Sequence, residues 1–121
     1  MRVDTGLGTS ADTRQAAAEA ERAGYAGAWT SEISHDPFVA LGLAAVATDT
    51  IELGTAVALA FARSPMSLAV QANDIQLLSR GRLLLGLGSQ IRPHITRRFS
   101  MPWSHPASRM REFILALRAA D

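Results

Sequence analysis

Residues 79–90, "SRGRLLLGLGSQ", set Gly81, Gly86 and Gly88 around an apolar run. Glycines so placed let a backbone approach a phosphate or a flat ligand. The dinucleotide fingerprint needs a third glycine in G-x-G-x-x-G and a helix opening there. Ile91 holds the third place and Pro93 follows, so the register is wrong. A phosphate loop needs Gly-Lys-Ser/Thr after its spacer. Gly81 and Gly86 give that spacing, but Leu87 stands where the lysine must be. What is left is the end of a buried strand, where parallel α/β folds bind ligands.

Other groups with chemical potential lie in loops. Glu32 follows an apolar segment, just past the C-terminal end of an expected strand, where a carboxyl of shifted pKa can serve in proton transfer. A solvated loop carboxylate is the alternative. His35-Asp36 has the look of a metal pair, but only His94 and His105 remain as further imidazoles and neither has ligand spacing, so no metal is expected. Asp36 reads as a helix cap, and His35 as either a site histidine or a loop residue. Arg92, Arg97 and Arg98 make one loop basic, to meet an anionic cofactor tail, an acidic substrate or solvent. Arg63 either reaches the same region or lies on the surface. Trp29 reads as core, and Trp103 either covers a mouth or pins its loop.

Four strand–helix units must position these groups. Strands are expected at 2–7, 25–31, 51–60 and 82–88, and helices at 10–24, 36–48, 64–81 and 106–121. Ser10, Asp36 and Ser64 are the expected N-caps, Pro37 and Pro65 open their helices, and Gly24 and Gly81 close theirs. About 17 residues join the fourth strand to the fourth helix, long enough to suggest a functional loop. Four alternations imply right-handed crossovers and a parallel sheet. The architecture is either an open doubly wound sheet or four units of a (β/α)₈ barrel, whose whole needs about 250 residues. In the barrel case the strand order is 1-2-3-4 with helices on one face.

The composition fits a packed domain. Of 121 residues 48% are hydrophobic and 19% charged, and there is no cysteine for disulfides or thiolate metal sites. A net charge of +1 is too small to indicate nucleic acid or an anionic membrane. The expectation is a cytoplasmic chain with a small-molecule substrate, no nucleic-acid partner and no membrane span.

The stretches "AGYAGAWTSEISHDPF", "IELGTAVALAFARSPMSLA", "SRGRLLLGLGSQ" and "RRFSMPWSHPASRMREF" resemble the luciferase-like oxidoreductases, in the branch that uses the deazaflavin coenzyme F-420. The resemblance spans the chain but only the N-terminal half of that family's domain. It implies half of a (β/α)₈ barrel over 1–121, with F-420, or alternatively FMN, across the C-terminal strand ends. Glu32 takes the acidic place of the family's acidic-histidine pattern. Ile33 departs from it, with His35 close behind, so Glu32 and His35 become the implied catalytic pair. "GTAVA" implies a ring-supporting bulge with a non-proline cis peptide at Ala56–Val57, and Gly88, Ser89 and Gln90 a turn that touches ring and tail. The implied activity is hydride transfer between the cofactor and a small organic substrate. The other reading is a non-catalytic half-barrel for assembly. Val57, Leu85 and Leu87 would then meet water, and the chain would dimerise or aggregate through its edges.

Overall fold

The computed structural model describes residues 1–120. Its core is a parallel sheet of β1 (Asp4–Gly6), β2 (Gly27–Thr30), β3 (Glu52–Thr55) and β5 (Leu83–Leu84), in that order. A second pair, β4 (Ala58–Leu59) and β6 (Leu87–Gly88), continues β3 and β5 beyond a break in each. The order is the barrel order, each strand pairing with its neighbour in sequence, not the reversal of a doubly wound sheet. The strands expected at 51–60 and 82–88 are therefore each two short strands. The first breaks at the Ala56–Val57 peptide, which is cis, and the second at Leu85-Gly86.

The helices are α1 (Thr13–Arg22), α2 (Pro37–Ala47), α3 (Pro65–Ser79) and α4 (Pro106–Ala119), packed side by side in chain order. Asp36 caps α2 by accepting from the Val39 N–H at 2.9 Å, and Ser64 caps α3 by accepting from the Ser67 N–H at 3.1 Å. Both satisfy donors that a helix start leaves orphaned. Gly81, at φ +85°, ends α3 by returning its N–H to the Gln76 carbonyl at 2.8 Å. Ser10 does not cap α1. Its hydroxyl accepts from the Asp12 N–H at 3.1 Å inside a tight turn, and the helix starts three residues later at Thr13. The Thr13 hydroxyl lies within 2.9 Å of the Ser10 N–H and within 2.8 Å of the Gly8 carbonyl, fixing the turn there.

Alternation within each strand sorts the two faces. Ala28, Leu53 and Leu83 point to the helices and are buried with Phe38, Leu41, Leu68 and Ile75. The other face is open. Trp29 lies there rather than in the helix-side core, its ring occupying the space a Gly54 side chain would need and its Nε1–H donating to Asp4 at 3.1 Å. Leu84 (39% exposed) and Val57 (40%) also face outward, whereas Leu85 and Leu87 pack partly against the helix-side core. Of the three apolar side chains expected to meet water, only Val57 does so to this extent.

Two charged side chains tie the strand starts together. Arg82 donates to the carbonyls of Ala45 and Thr48 at 3.0 and 2.9 Å, taking up acceptors at the end of α2, and to the Ile51 carbonyl before β3 at 2.8 Å. Glu21 accepts from the backbone N–H groups of Asp49, Thr50 and Ile51 at 2.7–3.0 Å. The long connection after β6 is not structureless. It holds a π-helical turn, His94–Arg98, whose Ile95 is fully buried, and Trp103 pins it edge-on to Phe61 at 5.8 Å.

Candidate functional site

The C-terminal ends of the strands form one rim. At its centre the Ala56–Val57 segment leaves β3 and is held from both sides. The Ala56 N–H donates to the Thr30 carbonyl at 2.7 Å, and the Val57 carbonyl accepts from the Glu32 N–H at 3.2 Å. From the β5–β6 side, the Gly86 N–H donates to the Thr55 hydroxyl at 2.9 Å and the Ala58 N–H to the Gly86 carbonyl at 2.9 Å. Gly86 sits so close to the Thr55 carbonyl that a side chain there would collide with it. Gly88 faces Val57, and a Cβ on Gly88 would come within 2.5 Å of Val57 Cγ2. The two glycines of "GLG" thus serve close approach between neighbouring strand ends, with no phosphate loop.

Glu32, Ala56, Val57 and Gly88 are therefore brought together. Ser89 and Gln90 follow directly and are half-buried, but their hydrogen bonds stay within their own turn. The Ser89 hydroxyl donates to the Gln90 carbonyl at 3.2 Å, the Gln90 side chain accepts from the Ile91 N–H at 3.2 Å, and Gln90 is left-handed at φ +59°. His35 stands on the other side of Glu32. It is exposed and lines a cavity of about 350 Å³ with Ile33, Asp36, Arg63, Arg98 and Phe99.

Glu32 does not project freely. Its carboxylate takes a forked pair of bonds from Arg63, Nη1 to Oε1 at 2.6 Å and Nη2 to Oε2 at 2.9 Å, and accepts the Leu59 N–H at 2.7 Å. Arg63 also reaches Asp36 at 2.9 Å and lies 5.2 Å from the centre of the Phe38 ring. Burial opposes the charge on Arg63, yet the hydrogen bonds and attraction of Glu32, then of Asp36, outweigh it and hold its pKa above the ordinary value. Of the two places open to Arg63, the structure gives the inner one. The signal was its position just before the Ser64 cap, which fixes where the chain enters α3. Arg92, Arg97 and Arg98 are exposed and, among the described residues, make no ion pair; Arg98 lies 5.3 Å over Phe99. Among the described residues no cluster of three or more His, Cys, Asp or Glu side chains has a geometry for a metal ion. No helix there is long and apolar enough to cross a membrane.

With the strand order and the rim established, the chain matches the family described as luciferase-like monooxygenase over residues 1–120. It belongs to that family. An uncharacterized protein of Mycobacterium tuberculosis (strain H37Rv) is 62% identical over 104 residues, covering 86% of this chain and 31% of that one. A second uncharacterized protein of that strain is 34% identical over 84 residues, covering 69% and 30%. Among solved structures, monooxygenase RslO1 from Streptomyces bottropensis superposes with a TM-score of 0.84 at 25% identity, over 98% of this chain and 42% of that one. The coenzyme F-420-dependent tetrahydromethanopterin reductase of Methanopyrus kandleri gives 0.79 at 21%, over 97% and 40%. The FMN-bound oxygenating constituent of 3,6-diketocamphane monooxygenase from Pseudomonas putida gives 0.79 at 21%, over 97% and 39%. The last two show a shared fold. The chain spans about a third of the length of the curated relatives it matches.

Proposed function

We propose that the chain is the part of a luciferase-like oxidoreductase that supports one side of a flavin or deazaflavin ring, with F-420 ahead of FMN. The observation that carries this reading is the rim itself. Val57 offers an exposed apolar side chain, Gly88 lets that side chain lie close against the β6 backbone because no Cβ stands in its way, and Ser89 and Gln90 continue the same edge. A flat ring fits against such a surface, since apolar area and close backbone approach are what it needs.

When bound, the ring supplies hydride transfer to or from a small organic substrate. The chain's own residues would then divide the remaining tasks. Val57 carries the ring face, and Gly88, Ser89 and Gln90 border its edge. His35 lines the adjoining cavity, where it is placed to exchange a proton with a substrate. Arg98 on the same cavity and Arg92 and Arg97 nearby offer cations to an anionic group. A non-catalytic assembly role is the second reading, favoured by the open sheet face bearing Leu84 and Val57.

Fluorescence titration of the chain with F-420 and, separately, with FMN tests the first reading. Binding weaker than micromolar is expected, because the phosphate site of (β/α)₈ enzymes usually follows strands 7 and 8. Val57→Asp should abolish it. Equal binding by wild type and Val57→Asp, or no binding of either ring by wild type, would refute the platform.

A further inference from the structure

We propose that Arg63 and Glu32 form a clamp that positions the Ala56–Val57 segment, with Glu32 acting as a fixed hydrogen-bond acceptor rather than as a proton carrier. This rests on the reading of that segment as the ring platform and goes beyond it by assigning its support. The resemblance alone had placed Glu32 among the reacting groups.

The bonds show how the clamp works. Glu32 grips the segment at two points. Its backbone N–H holds the Val57 carbonyl at 3.2 Å, and its Oε1 holds the Leu59 N–H at 2.7 Å, two residues further on. The grip is only as firm as the orientation of the carboxylate. Arg63 sets that orientation through its fork, which engages both oxygens and leaves the side chain one rotamer. Arg63 is itself held from three directions: by the Leu59 carbonyl at 3.1 Å, by Asp36 at 2.9 Å, and by the Phe38 ring. Asp36 in turn is fixed by its cap on α2, through its other oxygen. The end of β2, the start of α2 and β4 are thereby joined by one guanidinium. Both partners are nearly closed to solvent, with side chains 8% exposed for Glu32 and 11% for Arg63. Exposed pairs are worth little, whereas at this burial the loss of one partner strands a charge. His35, three residues beyond Glu32, is exposed and borders the cavity. Glu32 borders the same cavity, but both of its oxygens are taken by Arg63 and the Leu59 N–H, whereas His35 is exposed there.

Amide hydrogen exchange, read residue by residue, tests the clamp without any ligand. Arg63→Met and Glu32→Gln should each speed exchange at the amides of residue 32 and Leu59 by about tenfold or more. The Leu53 amide, bonded to the Arg82 carbonyl at 3.0 Å, should stay within about twofold. Arg63→Lys should restore part of the protection, since one ammonium replaces the charge but not the fork. Because Arg63→Met leaves Glu32 buried and unpaired, the double variant Arg63→Met/Glu32→Gln is included. It should melt above Arg63→Met while keeping the fast exchange at Leu59. In wild type and variants that bind F-420 or FMN, the dissociation constant should rise about tenfold with loss of the clamp. If wild type binds neither ring, the proposed function falls, and the exchange data still decide the clamp. Unchanged exchange at residue 32 and Leu59 would overturn it. So would Leu53 losing protection in step with them, or Glu32→Gln abolishing turnover with Leu59 exchange intact.

Discussion

Replacing Gly86 with alanine should destabilise the chain far more than the same change at Gly88 or Gly8. The Cβ of Gly86→Ala would run into the Thr55 carbonyl oxygen, a backbone atom at the end of β3 that has little freedom to move. Relief requires Gly86 to back away, and Gly86 is bonded to the Thr55 hydroxyl through both its N–H and its carbonyl, and to the Ala58 N–H. Overpacking of this kind costs about 1–3 kcal/mol, and each weakened hydrogen bond adds about 0.5–1.5. Residual overpacking together with one weakened bond gives about 1.5–4.5 kcal/mol, against a total stability of about 5–15. Gly88→Ala meets only the tip of Val57, which is exposed and can rotate, so about 0.5–1.5 kcal/mol is expected. Gly8 has nothing within 4 Å of an added Cβ, and Gly8→Ala should stay within about 0.5 kcal/mol of wild type. Urea denaturation of the three variants beside wild type gives the ranking directly. A loss under about 0.5 kcal/mol for Gly86→Ala, or an equal loss for Gly8→Ala, would refute the role assigned to the close approach.

Burial alone would raise the Glu21 pKa, but the N–H groups of Thr50, Ile51 and Asp49, with the Thr50 hydroxyl, outweigh it and hold the carboxyl below its ordinary value of 4.5. Its contribution is therefore full above the unfolded value and is lost as pH falls through the lowered folded value. Glu21→Gln should cost stability at neutral pH and flatten the acid limb of a stability–pH curve; parallel curves would contradict this. Self-association is expected through the open face, where Val57 and Leu84 are exposed, and through the unpaired edges of β1 and β5. Light scattering coupled to size exclusion should show mass rising with concentration, and a monodisperse monomer with a cooperative melt would refute it.

The local rules of the chain were strong enough to be read without coordinates. Asp36-Pro37 and Ser64-Pro65 announce helix starts because a capping oxygen and a preset φ act over three residues, and both caps form as expected. The alternation of strand and helix made the sheet parallel, since right-handed crossovers return each strand in the same direction, while the structure decided the order between barrel and doubly wound sheet. The family pattern located the bulge at Ala56–Val57. Other features depended on partners distant in sequence. Ser10 looked like a cap, but the Thr13 hydroxyl holds the turn and shortens α1. Trp29 was apolar enough for the core, yet the missing side chain of Gly54, 25 residues away, gives its ring a seat on the open face. The place of Arg63 just before the Ser64 cap put it near the rim but left the inner and surface positions open, because the compensation for burying a guanidinium comes from Glu32 and Asp36, 31 and 27 residues earlier. Only the folding of two connections, one before α2 and one before α3, to one rim brings those charges within hydrogen-bond distance, and so only the tertiary structure decides that Arg63 belongs to the site.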